Sequence, residues 1–256
     1  MYSSMKYFNY FLTLVVISSL SLNCSQETKH SLDYSNFKVD TTFGDCSNAC
    51  LKLNIEYALI QSTDSVLSEK INSEILYFSL CSLEGDSVYY YPQDFGEDLM
   101  KDLNEISSIY PSSSYEWFVE RKAEIIFSSE EYLSIKFDEI LFTGGAHPNR
   151  VISLRTYRLH NSEALIFDTL FSGSNLDSVA RIGAKIFAKK YQLAESRWAE
   201  QSLWIEEESF QLPDEFAVVG DSVKFIFNTY EIAPYYRGSF EFAIPLESIQ
   251  KFTDKL

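Results

Sequence analysis

Hydrophobic positions fall into two periods along the chain. In "LKLNIEYAL", residues 51–59, Leu51, Leu53, Ile55, Tyr57 and Leu59 share one face, the alternation of a half-buried strand. The period then lengthens. Val66 or Leu67, Ile71, Ile75 and Phe78 recur at helical spacing, with Asp64 or Ser65 placed to cap the first turn. A second helix follows Pro92, carries Phe95, Leu99, Leu103 and Ile106 along its stripe, and stops before Pro111. Alternation returns in 116–128, where Trp117, Val119, Ala123, Ile125 and Phe127 share a face, and in 131–142, where Leu133, Ile135, Phe137 and Leu141 do. "SSEE" between them predicts a hairpin connection. Another strand spans 150–160, turns at Asn161 and Ser162, and pairs with a strand over 163–171. Leu176, Val179, Ala180, Gly183, Ile186, Phe187 and Tyr191 predict the main helix of the second half, with a shorter one over 197–209. "FAVVGDSVKFIF" predicts a hairpin about Gly220 and Asp221, and "SFEFAIP" the last strand before a closing helical turn. Sequential hairpins mixed with helices give an α+β fold: two sequential subdomains, 45–148 and 149–256, each a mainly antiparallel sheet packed by helices.

Residues before this pattern obey different rules. After Lys6, an uncharged apolar run from Tyr7 to Leu22 is short for a bilayer span and predicts a signal peptide over 1–23. "LSLNCSQE" resembles a lipoprotein signal, with Cys24 as the lipidated first residue, although Ser21 and Asn23 depart from the usual Leu and Gly or Ala. Polar residues 24–44 read as a flexible tether. The chain is therefore expected to be exported and lipid-anchored to the cell envelope, on its periplasmic or outer-membrane face, touching the membrane through the anchor only.

Charge narrows the partners. The 21 Lys and Arg against 37 Asp and Glu give a net charge of −16, and removing Lys6 with the signal makes it −17. Phosphates are repelled by such a surface, which excludes nucleic acid, whereas basic partners are attracted. Of the four cysteines, Cys46 and Cys50 suit a local disulfide, Cys50 with Cys81 is the alternative, and the spacing matches no zinc site.

Two stretches, "FTGGAHPNRVISLRTY" (142–157) and "VKFIFNTYEIAPYYRGSFEFAIPLESI" (223–249), resemble the exported domain of the RsiV family of anti-sigma factors and of PdaC-type peptidoglycan deacetylases. Gly144, Gly145, Ala146, His147 and Pro148 match the turn that closes the family's first subdomain. Tyr230 to Tyr235, Gly238 and Pro245 match the segment that closes its second. The resemblance implies architecture rather than activity, because RsiV-type members bind lysozyme and PdaC enzymes keep their chemistry in a separate domain. It implies no cofactor.

Candidate chemistry is sparse. Gly144 and Gly145 permit positive φ, Pro148 holds His147 extended, and the group reads as a structural turn, with general base or metal ligand as the alternative for His147. No GxSxG, phosphate-binding loop, CxxC or HExxH occurs, so no catalytic or metal-binding residue is assigned. Tyr230, Glu231, Tyr235, Tyr236 and Arg237 combine flat aromatic surface with charge and are the candidate ligand-binding residues, although Tyr230 and Tyr235 also suit a core. Three readings stand: a noncatalytic envelope lipoprotein binding an extracytoplasmic protein or cell-wall glycan, for instance a cationic protein such as lysozyme; a peptidoglycan- or polysaccharide-active hydrolase or deacetylase-related enzyme; and a structural envelope component.

Overall fold

The computed structural model describes residues 32–62, 64–110, 115–171, 174–194, 197–205 and 210–253. The expected signal peptide and the expected lipidation site Cys24 lie outside them. No helix among the described residues is long and apolar enough to cross a membrane.

The first sheet has six strands in sequence order: β1 (Asp33–Asp45), β2 (Ala49–Gln61), β3 (Tyr115–Ser128), β4 (Tyr132–Phe142), β5 (Asn149–Arg158) and β6 (Glu163–Ala164). β1 corrects the expected tether, since residues 33–44 pair with β2 from end to end. Its polarity follows from its place at the sheet edge, where most of its residues face solvent. Cys46 and Cys50 form a disulfide across the β1–β2 turn, Cα to Cα 4.7 Å, and Cys81 is left as a free thiol. β2 runs parallel to β3, the one departure from antiparallel pairing, because two helices intervene. These are α1 (Ser65–Leu80), capped by Asp64 through the Val66 and Leu67 N–H groups, and α2 (Pro92–Ile109), opened by its proline. Leu67, Ile71 and Ile75 pack over Ala123, Leu133 and Ile135, and Phe95, Leu99 and Leu103 over Leu53, Trp117 and Val119. Arg121 is buried under the link between the two helices. Its Nε donates to Glu139 at 2.7 Å, its Nη1 to the Cys81 carbonyl at 2.6 Å, and its guanidinium lies 5.0 Å over the Phe95 ring.

β5 corrects the predicted boundary at 148/149. It pairs with β4 along its whole length and so belongs to the first sheet. The strand expected over 163–171 shrinks to the two residues of β6, because Leu165, Leu170 and Phe171 turn away into the second core through α3 (Phe167–Leu170). That core lies between α4 (Ser174–Tyr191) and a three-stranded antiparallel sheet of β7 (Phe216–Val219), β8 (Ser222–Phe227) and β9 (Phe240–Pro245), with α5 (Leu246–Ile249) following. Phe187 of α4 is its centre, with the rings of Trp198, Phe210, Phe227, Phe240 and Phe242 at 5.5–5.9 Å. Only the short 3-10 turn Ala199–Gln201 forms within the described part of the helix expected over 197–209.

β6 covers only one end of β5, and side chains from the second half bond part of the remaining edge. Asn228 accepts from the Ile152 N–H at 2.8 Å and donates to the Ile152 carbonyl at 2.9 Å, imitating a strand. Glu215 accepts the Leu154 N–H at 2.6 Å. Deeper, the buried Thr156 hydroxyl accepts the Val218 N–H at 2.9 Å and lies 2.8 Å from Ser134 Oγ, which donates to the Val218 carbonyl. Ile152, Leu154, Ala217 and Ile226 form an apolar cluster between the sheets.

Candidate functional site

The turn between β4 and β5 holds Gly144 at φ +106° and Gly145 at φ +104°, backbone that strains any side chain. It projects His147 toward the loop after β8. There His147 stacks on Tyr235, ring centroids 3.6 Å apart and planes at 16°. His147 Nδ1 lies 3.0 Å from the Pro148 carbonyl, which also accepts the Tyr235 hydroxyl at 3.0 Å. With Nδ1–H donating there, Nε2 is the acceptor for the Tyr230 hydroxyl, 3.2 Å away. Tyr230 itself adopts φ +70°, unusual for a bulky residue. The two quoted sequence motifs, more than eighty residues apart, thus meet in one exposed latch between the halves.

Electrostatics around the latch are mostly settled internally. Asp138 receives Arg150 Nε and Nη2 at 2.9 and 2.7 Å and Lys136 Nζ at 2.7 Å. Burial pushes its carboxyl up, but these two cations outweigh it and hold it below the usual range. Glu231 accepts the Asn228 N–H at 2.9 Å. Partial burial of its carboxyl raises its pKa, and the charges of Glu215 and Asp214 add to the effect against the Asn228 hydrogen bonds. Among the described residues, no carboxylate pairs with His147, whose ring contacts the Pro148 carbonyl and the Tyr230 hydroxyl.

A family model described as deacetylase PdaC matches residues 45–150, and one described as a protein of unknown function, DUF3298, matches residues 168–247. The chain is thus similar, in order, to a PdaC-type domain and a DUF3298 domain. Among the solved structures that share its fold are two DUF3298 family proteins. A DUF3298 family member from Bacteroides fragilis is 18% identical, with a TM-score of 0.71 over 89% of this chain and 95% of that one. A DUF3298 family protein from Pseudomonas aeruginosa is 13% identical, with a TM-score of 0.62 over 88% of this chain and 95% of that one. No curated protein matches.

Within this fold, the five candidate ligand-binding residues separate. Tyr230 and Tyr235 are engaged in the latch. Glu231 braces its own turn, and Arg237 donates to the Gln201 carbonyl at 3.0 Å while lying over the Phe240 ring at 5.5 Å. Tyr236 presents the most open ring of the five, 74% exposed, and with Trp204, 58% exposed, it flanks a notch floored by Leu203 and Ile205. Trp204 carries no periodic signal that sets it apart from core aromatics; its exposure is set by the Trp204 N–H bond to the Ile232 carbonyl, 2.7 Å long. Cys46, Cys50 and Glu116 place three potential metal-ligating atoms within 4.8 Å, but both sulfurs are spent in the disulfide.

Proposed function

We propose that this chain is a noncatalytic binding module of the bacterial cell envelope, exported and lipid-anchored through Cys24, that captures an extracytoplasmic protein or cell-wall glycan. A cationic protein such as lysozyme is the first ligand to try. The observation that carries this reading is the latch. The histidine and tyrosines of both motifs are engaged with one another, which accounts for them as architecture without a reaction centre. The net charge of −16 supports a basic partner by accelerating encounter.

The test is capture of lysozyme by the immobilised full chain at about 0.1 M and about 1 M salt, where the Debye length falls from about 10 Å to about 3 Å. Binding retained at the higher salt supports a specific site. Loss at high salt reduces the interaction to bulk charge attraction, and hydrolysis of peptidoglycan abolished by His147→Ala overturns the noncatalytic reading.

A further inference from the structure

In the first half of the molecule a groove of about 630 Å³ lies between α2 and the segment that links it to α1. Its walls are acidic on both sides. Glu84 and Asp86 face it from the link, and Asp98, Asp102 and Glu105 from α2, while among the described residues no lysine, arginine or histidine lines it. On α2 these positions step by four and three residues, which stacks like charges on one helical face. Such like-charge pairs weaken a helix, so folding alone does not favour the arrangement. Asp98 is partly engaged, accepting from the Tyr89 hydroxyl and from Lys101, and the first of these pushes the Tyr89 pKa up to about 12. Asp102 and Glu105 have no ion pair among the described residues.

The same face is apolar beyond the acids. Ile106 is 39% exposed and Ile109 57%, although both stand on a helix whose Phe95 and Leu103 are fully buried. The carboxylates are too widely spaced for one metal ion, since among the described residues no three acids here bring oxygens within 4.8 Å of one another. Several positive charges set apart along an apolar backbone fit instead.

We propose that this groove receives a basic amphipathic peptide segment of a partner protein. Its lysines or arginines pair with Glu84 and Asp86 on one wall and Asp102 and Glu105 on the other, and its apolar residues cover Ile106 and Ile109. The assignment rests on the binding-module reading and locates it. Charge complementarity selects the cations, and the exposed isoleucines select a peptide over a bare polyamine.

The test is fluorescence anisotropy of a short labelled peptide of lysine and leucine in helical register, titrated with the full chain at about 0.1 M salt. Asp102→Asn combined with Glu105→Gln is expected to weaken binding roughly tenfold, and Ile109→Ser roughly threefold. Glu130→Gln with Glu247→Gln, an equal charge change at exposed positions outside the groove, should leave it unchanged. Relieving the stacked charges should also hold or raise the Tm of the Asp102/Glu105 variant, which separates lost binding from lost folding. Carbodiimide coupling should join peptide lysines to Asp102 or Glu105. Equal weakening by both charge pairs, or competition by spermine that matches the peptide's own affinity, overturns the proposal. Peptide bound alike by wild type and groove variant overturns the groove and leaves the binding-module reading standing; a wild type that binds neither peptide nor lysozyme sinks both.

Discussion

At Gly145 a Cβ would meet no atom within 4 Å, yet the backbone sits at φ +104°. A substitution there costs strain without a clash. Gly145→Val should lower stability by roughly 1–3 kcal/mol in urea denaturation. His147→Ala should lower it less, because its ring is exposed and its two hydrogen bonds compete with water; the reverse order would make the ring, not the backbone, the support of the turn. Asp138 carries the clearest pH dependence. Its folded pKa is depressed, so its contribution is present above the unfolded value of about 3.8 and is lost as pH falls through the folded one. Asp138→Asn should therefore lower stability at pH 7, with the half-exposed Arg150 contributing little, and lower it much less in strong acid. Tm measured against pH for both proteins checks this, and parallel curves would refute it.

At the scale of elements, β1 is held by more than its ladder. Gly96 interrupts α2, where alanine would favour the helix by roughly 0.5–1 kcal/mol. A Cβ at Gly96 would overlap the Phe43 ring, however, so the glycine is what lets β1 lie against the helix. Gly96→Ala is expected to destabilise the protein despite its propensity gain, and to speed amide exchange in residues 37–43 more than in β4. A net gain in Tm with β1 protection unchanged would mean that Phe43 swings aside at little cost. The link from α1 to α2 is anchored from below by Arg121, whose hydrogen bond to the Cys81 carbonyl fixes the acidic wall of the groove.

For the whole molecule, the sharing of the β5 edge predicts cooperativity. Val218 N–H, Thr156 and Ser134 form a closed buried set, and Thr156→Val leaves the Val218 N–H without an acceptor. A loss of roughly 1–3 kcal/mol is expected. It should appear as one transition shifted to lower temperature in calorimetry, because the two sheets share Ile152, Leu154, Ala217 and Ile226. Two resolved transitions, only one of them moved, would show that the two halves unfold independently.

The sequence by itself determined the elements whose apolar faces are fully committed. The stripe of Leu67, Ile71 and Ile75, the alternation of β2 and the hairpin of β7 and β8 are all legible because one face of each is buried against a core. It also placed positive φ at Gly144 and Gly145 and drew attention to the two motifs. Only the tertiary structure decided what those motifs do, since the contact of His147 with Tyr230 and Tyr235 depends on how the second half docks on β5. β1 escaped the reading because an edge strand buries too little to force alternation, and β5 was assigned to the wrong half because period identifies a strand but not its neighbours. The groove escaped for a related reason. Asp102 and Glu105 look in sequence like any solvated helix face, and it is the opposing Glu84 and Asp86, brought near by the fold, that give their charge a direction.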